Sequence, residues 1–88
     1  MIKEKIIQHV FDEIVRASKL YPNNKHRYAA LIEEQGEFAQ AWLDHEYDKC
    51  SKNDLYVEAI QSMATMFRLL LEGDDNFKFE PLTLNELI

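Results

Sequence analysis

Residues 29–42 read AALIEEQGEFAQAW, and the rest of the chain is best understood around them. At about 100° per residue, four of their apolar residues share one arc of a helix: Leu31, Phe38, Ala41 and Trp42. Glu34 projects into this arc, and Glu37 lies at its border. A carboxylate on an apolar arc costs roughly several kcal/mol unless it is paired or binds a metal. The segment therefore predicts a helix that carries a functional carboxylate.

The composition predicts one all-α domain over residues 1–88. The 88 residues carry a formal net charge of −6, are 47% hydrophobic, and include only two Gly and two Pro. Abundant helix formers and few helix breakers favour helices. Because so short a chain encloses little core by itself, we expect homo-oligomerisation, as a homodimer or homotetramer, to complete a helical bundle.

The spacing of apolar residues predicts three helices, at about 2–19, 25–47 and 54–72. Asn23 or Asn24 is expected to cap the second helix, and Asn53 or Asp54 the third. Gly36 lies inside the second helix, where an interior glycine often marks the close approach of another backbone or a ligand.

The third helix is apolar around most of its circumference. It leaves one narrow polar stripe, made of Glu58, Gln61, Thr65, Arg68 and Glu72. Because a helix this apolar must be enclosed, we place it at the centre of a bundle shared between chains.

The segment after the third helix is expected to end in a docked tail. Gly73 is a typical C-cap residue. Residues 77–81 alternate apolar and polar side chains, which suggests an extended segment, and residues 83–86 have capping-box spacing for a last turn. The tail, residues 77–88, is too apolar for a free end, and we expect it to dock on its own bundle or on a neighbour.

The cysteine content and the lack of long apolar runs favour a cytoplasmic protein. Cys50 is the only cysteine, so an intrachain disulfide is excluded and a reducing compartment fits. No apolar run resembles a signal peptide or approaches the ~20 residues that cross a bilayer. The acidic balance argues against nucleic acid as a partner, because phosphates need basic surface.

Glu34 and Glu37 are three residues apart and project from adjacent turns. If the second and third helices run antiparallel, both face Glu58 and Gln61 of the polar stripe. Carboxylate and amide oxygens suit Mg²⁺ or Mn²⁺. The alternative is that the stripe faces solvent and these glutamates are ordinary surface charges.

Residues 31–41, LIEEQGEFAQA, followed after a spacer by residues 57–61, VEAIQ, resemble the MazG-like nucleotide pyrophosphohydrolases of the all-α NTP pyrophosphatase superfamily. The pattern of that family is EExxE, a spacer and ExxD, on two helices of a bundle. The resemblance covers roughly residues 21–73. It implies Mg²⁺-dependent cleavage of a nucleoside triphosphate, a (d)NTP, to the monophosphate and pyrophosphate.

The resemblance also implies roles for individual residues. Glu34 and Glu37 match the metal-binding acids of the first half-motif, and Glu33 matches its leading glutamate. Glu58 matches the first acid of the second half-motif. Gln61 stands where the pattern has Asp, and because an amide brings no charge, either metal affinity falls or another acid compensates.

In such a reaction Mg²⁺ neutralises the triphosphate while water attacks the α-phosphorus. A glutamate outside the inner shell of the metal can orient or deprotonate that water, and Glu37 and Glu33 are the candidates. Four further side chains are substrate-binding candidates from their position alone: Arg68, Lys25 and Arg27 for a phosphate, and Trp42 for a base.

Two other functions stay open. The first is a catalytically weakened module of the same fold, which binds a nucleotide or a protein partner without turnover; Gln61 favours it. The second is a helical oligomerisation or adaptor protein with no ligand, which the apolar surroundings of Glu34 oppose.

Overall fold

The computed structural model describes residues 1–87 and is built from helices: α1 (Ile2–Leu20), α2 (Arg27–Glu46), α3 (Lys52–Glu72) and the short α4 (Leu84–Leu87). The prediction of an all-α chain with three main helices is confirmed. Ile88, the last residue of the predicted tail, lies outside the described residues. Among the helices of residues 1–87, none has the length and apolar character needed to cross a membrane.

Helix α3 is the central element, because α1 and α2 each pack against it and not against each other. A hydrogen bond between His9 and Tyr56 and one from Ser18 to Glu72 show that α1 runs parallel to α3. Arg27 at the start of α2 binds Glu72 at the end of α3, so these two helices are antiparallel. The space between α1 and α2 is therefore a cleft with α3 as its floor.

The polar stripe of α3 points into the chain, and the apolar side of α3 points out. All five stripe residues are half-buried or buried. By contrast, five large apolar side chains on the opposite side are 39–57% exposed: Met63, Met66, Phe67, Leu70 and Leu71, which we call the outer face of α3. Among residues 1–87, five apolar residues are buried: Val10, Leu31, Ala41, Ile60 and Ala64.

The N-terminus of α2 differs from the prediction. The expected cap at Asn23 or Asn24 is wrong, because the helix begins at Arg27 after His26, which adopts a left-handed conformation with φ 60°. The main-chain N–H of Tyr28 instead donates to the Asp74 carboxylate at 2.7 Å. A loop far along the chain thus satisfies the first turn of α2.

Helix α3, in contrast, begins at Lys52, earlier than expected. Ser51, and neither Asn53 nor Asp54, is the N-cap residue. The Asp54 N–H donates to Ser51 Oγ at 3.0 Å, and the Ser51 N–H donates to the Asp54 carboxylate at 3.1 Å. This reciprocal pair is a capping box, in which Asp54 serves as the third helical residue.

The segment after α3 folds back on the chain. Gly73 is the C-cap, as predicted, with φ 78°, and an added Cβ would lie 2.4 Å from the Phe79 carbonyl oxygen. The prediction of an extended segment is wrong for residues 77 and 78. They belong to a turn that is closed by a bridge between Asp74 and Phe79. The predicted last turn is present as α4. The Leu82 N–H donates to the Leu70 carbonyl at 3.0 Å, so the tail contacts its own chain at Leu82, while Leu84 and Leu87 of the last turn are 79% and 66% exposed.

Candidate metal centre

Three glutamates converge where α2 crosses α3. Glu34 and Glu37 come from adjacent turns of α2 and Glu58 comes from α3, and one carboxylate oxygen of each lies within 4.8 Å of the others. Ligand oxygens around Mg²⁺ lie about 2.0–2.1 Å from the ion, in an octahedron roughly 4 Å across. Three oxygens within 4.8 Å of one another are therefore candidate ligands of a single ion, at a wider spacing than in a bound octahedron.

The electrostatics of this group show a deficit of positive charge. Burial, followed by the charges of Glu37, Glu58, Glu33 and Glu13, raises the pKa of Glu34 to about 7. Burial, then the charge of Glu37 and a hydrogen bond with it, also raises the pKa of Glu58. Near neutral pH Glu34 is therefore partly protonated, and a cation bound here would displace that proton.

Two carboxylate oxygens at this site are buried without a hydrogen-bond partner, Glu34 Oε2 and Glu58 Oε2. Leaving such an atom unsatisfied costs about 1–3 kcal/mol. A divalent cation between the carboxylates would give both atoms a partner, and the all-oxygen donor set is the type that Mg²⁺ and Mn²⁺ prefer. The residues present thus fit a hard divalent cation.

The other two motif residues lie beside this triangle. Gln61 is half-buried and lines the cleft between α1 and α2, together with Glu33 and Glu34. Glu33 is exposed, and Glu37 lines a second cavity on the other side, with Glu58. Glu34 and Gln61 therefore face the cleft, while Glu37 and Glu58 face the opposite opening.

The cleft has a volume of about 540 Å³ and receives side chains from all three long helices. Glu33 and Glu34 make one part of its lining acidic. Lys25, Arg27 and Arg68 make another part basic. A ligand that carries both a cation and phosphates would match this distribution of charge.

Arg27 and Arg68 are both buried, each 6% exposed, and share one carboxylate. Arg27 Nη2 lies 2.9 Å from Glu72 Oε1, and Arg68 Nε lies 2.9 Å from Glu72 Oε2. Each arginine also donates to a main-chain carbonyl at 2.6 Å, Arg27 to Asn23 and Arg68 to Tyr21. These contacts tie the α1–α2 connection to the end of α3, where Arg27 and Arg68 are balanced by the charges of Glu72 and Asp74.

The other predicted substrate-binding residues are more exposed. Lys25 lies at the surface and lines the cleft. Trp42 is half exposed, donates from Nε1 to the Glu46 carboxylate at 2.9 Å, and packs edge-on against Phe38. Trp42 is not part of the cleft lining.

Helix α1 brings two further residues to the cleft, Glu13 and Arg16, which were not predicted from the sequence. The Glu13 side chain is only 16% exposed and is held by Arg16, whose Nε lies 2.8 Å from Glu13 Oε1. A signal was present, because Glu13 shares a stripe of α1 with Val10 and Ala17 at spacings of three and four. That stripe shows an inward position, but only the packing of α1 on α3 shows what Glu13 faces.

Searches with this chain found no match among protein-family models, curated proteins or solved structures.

Proposed function

We propose that this chain is a Mg²⁺-dependent nucleoside triphosphate pyrophosphohydrolase of MazG-like type, which cleaves a (d)NTP to the monophosphate and pyrophosphate. The observation that carries the proposal is the convergence of Glu34, Glu37 and Glu58, with two buried carboxylate oxygens left unpartnered. A helical fold with an acidic centre beside a cleft fits the resemblance of residues 31–41 and 57–61 to that family.

In this proposal Glu34, Glu37 and Glu58 hold Mg²⁺ or Mn²⁺, and Gln61 is a fourth, neutral ligand through its amide oxygen. The bound cation supplies charge stabilisation to the phosphates. Glu33, exposed at the edge of the acidic centre, would orient the attacking water or accept its proton, and Glu37 would do so in place of Glu33 only if it lay outside the inner shell of the metal. The cleft between α1 and α2 would take the nucleotide, with its phosphates toward the acidic centre.

We further propose that the working form is a homo-oligomer, a homodimer or homotetramer, in the cytoplasm. The outer face of α3 supports association, because five large apolar side chains there are 39–57% exposed. Contiguous apolar surface of this kind is typical of protein interfaces. The cytoplasmic location is supported by Cys50, whose thiol donates to the Ala41 carbonyl and has no second cysteine to pair with.

Pyrophosphate release over a panel of ribo- and deoxyribonucleoside triphosphates, with Mg²⁺ or Mn²⁺, tests the proposed reaction. We expect release from at least one nucleotide and a loss of about a hundredfold or more in Glu34→Gln. Glu46→Gln is the matched control, because Glu46 is on the same helix, is exposed and keeps an oxygen acceptor for Trp42. Absence of release from every nucleotide at high protein concentration would contradict the proposal.

A second candidate is a module of the same fold that binds a nucleotide or a protein partner without turnover. The position of Gln61 favours it, because a neutral amide lines the cleft beside Glu34 where a fourth carboxylate would strengthen metal binding. Calorimetry with Mn²⁺ and a nonhydrolysable triphosphate separates the two. Tight binding without pyrophosphate release would identify the binding module, and no binding would favour an adaptor without ligand.

A further inference from the structure

We propose that Arg16 of α1, positioned by Glu13, is the side chain that binds the phosphate chain of the nucleotide. This inference rests on the proposed function, because its ligand is the triphosphate of the same reaction. It assigns a role to a helix outside both half-motifs, whose residues the resemblance does not cover.

The position of Arg16 makes it available to a ligand in the cleft. It lines the same cleft as Glu34 and Gln61, on the wall opposite α2. Its side chain is 52% exposed, so a ligand can reach it. The cleft continues past Arg16 into a neighbouring cavity of about 310 Å³ between α1 and α3, which Arg16 and Gln61 also line.

Glu13 holds the guanidinium of Arg16 in a defined place. Both carboxylate oxygens of Glu13 accept from Arg16, Oε1 from Nε and Oε2 from Nη2. Because Glu13 is mostly buried, the fixed end of the pair is the carboxylate and the reachable end is the guanidinium. An arginine has five N–H donors, so this pairing leaves donors free for phosphate oxygens.

The charge of Arg16 is suited to the ligand. The hydrogen bonds that Arg16 donates to Glu13, then the charge of Glu13, and to a smaller extent the charge of Glu34 raise the pKa of Arg16, which keeps it protonated. One divalent cation does not neutralise a triphosphate chain, and sites for such chains add Lys or Arg for the remaining charge. Arg16 is a cation close enough to Glu34 to interact with it, as a phosphate bound beside the metal requires.

Arg27 and Arg68 are less suited to this task. Both are buried, and both are engaged by Glu72 and by main-chain carbonyls that hold the α1–α2 connection. A phosphate would have to compete with these contacts, or reach Arg27 Nε, which has no partner but is fully enclosed by the chain. Arg16 has one partner on its own helix and can bind a ligand without a change in the packing of the helices.

Calorimetric titration with inorganic tripolyphosphate in the presence of Mn²⁺, and with Mn²⁺ alone, tests this role. We expect Arg16→Gln to weaken tripolyphosphate binding by about tenfold or more, because a charge-assisted contact is lost. Affinity for Mn²⁺ alone should stay equal or rise, because a positive charge near Glu34 has gone. Arg16→Lys should restore part of the binding, and Glu13→Gln should weaken it less than Arg16→Gln.

The matched control is Lys5→Gln, which removes the same charge from the same helix at an exposed residue that lines neither cavity. Equal tripolyphosphate affinities of Arg16→Gln and Lys5→Gln would overturn the role of Arg16 and leave the proposed reaction untouched. Conversely, Arg16-dependent binding in a protein that releases no pyrophosphate would support the role of Arg16 while the proposed reaction fails.

Discussion

At Glu34, a carboxylate is half-buried among other carboxylates, and its pKa is raised to about 7 by burial and by their charge. The metal-free chain therefore places like charges together at physiological pH. Such an arrangement lowers the stability of the fold unless a proton or a cation compensates. This cost at a single residue is what links stability, pH and metal binding in this protein.

The pH dependence of unfolding follows from that shift. Because the pKa of Glu34 is higher in the folded chain than the ordinary 4.5, its contribution favours the folded state at low pH and is lost as pH rises through 7. Glu34→Gln should raise the free energy of unfolding at pH 8 by about 1–2 kcal/mol, because solvent partly screens this half-buried group. At pH 4.5 the variant and the wild type should be nearly equal.

Urea unfolding with a chelator present, at several pH values from 4.5 to 8, measures this difference. Glu46→Gln is the control and should show no comparable change with pH. A difference between wild type and Glu34→Gln that does not vary with pH would contradict the assignment of the shifted group.

The side chain of Gln61 is expected to set the affinity of the metal centre. Because Gln61 lines the cleft beside Glu34, Gln61→Asp should add a charged ligand and raise Mn²⁺ affinity by about tenfold. Ser62→Asp adds the same charge to the neighbouring residue of α3, which does not line the cleft, and serves as control. Equal Mn²⁺ affinities of the two variants, measured by calorimetry, would show that Gln61 is not at the metal centre.

Among the elements, α3 has its polar stripe inside and much of its apolar surface outside. The stripe positions Glu58 and Gln61 next to α2 and lets Arg68 and Glu72 hold the α1–α2 connection. A polar interior side leaves little apolar area buried within one chain. The same helix therefore builds the centre and exposes the surface through which we expect chains to associate.

Gly36 in α2 is expected to affect either the stability of the helix or the packing of a partner on it. A Cβ at Gly36 would meet nothing within 4 Å in this chain. Gly36→Ala should therefore raise the free energy of unfolding of an isolated chain by about 0.5–1 kcal/mol, because alanine is the better helix former. If a neighbouring chain or a nucleotide packs on Gly36, the substitution should instead weaken oligomerisation or nucleotide binding.

Thermal unfolding, together with sedimentation and nucleotide titration of Gly36→Ala, distinguishes the two results. Ala39→Gly, at an exposed position one turn later on α2, is the control and should lower stability by a similar amount. A loss of stability in Gly36→Ala with no effect on association or binding would contradict the open surroundings of Gly36.

Helical periodicity explains which parts of the elements were predictable. The bounds of α1, α2 and α3 lie within two residues of expectation, because apolar spacing is a local property of the sequence. The same spacing placed Glu34 and Glu37 on one side of α2. The cap of α2 was not predictable from neighbouring residues, because its acceptor, Asp74, is 46 residues away from Tyr28. The approach of Glu13 and Arg16 likewise depends on which wall of the cleft α1 forms.

In the molecule as a whole, α1 and α2 each pack against α3 and not against each other, which leaves the cleft between them open. Only five apolar residues are buried among the 87 that the structure describes. Domains of this size are marginal when they fold alone. Association through the outer face of α3 would bury the apolar side chains that the single chain leaves exposed.

Met63 is the first residue of the outer face of α3 and offers a test of association. Met63→Glu should shift a dimer or tetramer to monomer, because the interface would bury an unpaired charge. Asn53→Glu, with the same added charge at an exposed residue in the first turn of α3, should leave the assembly unchanged. Sedimentation velocity measures both, and a wild-type monomer at tens of micromolar would contradict the proposed homo-oligomer.

Direct titration of the metal-free protein with Mn²⁺, followed by electron paramagnetic resonance, tests most directly whether the three converging glutamates bind a cation. The convergence of Glu34, Glu37 and Glu58 predicts saturable binding by the wild type, loss of that binding in Glu34→Gln, and binding like wild type in Glu46→Gln. Equal Mn²⁺ binding by wild type and Glu34→Gln, or no binding by wild type, would contradict the metal centre and with it the proposed reaction.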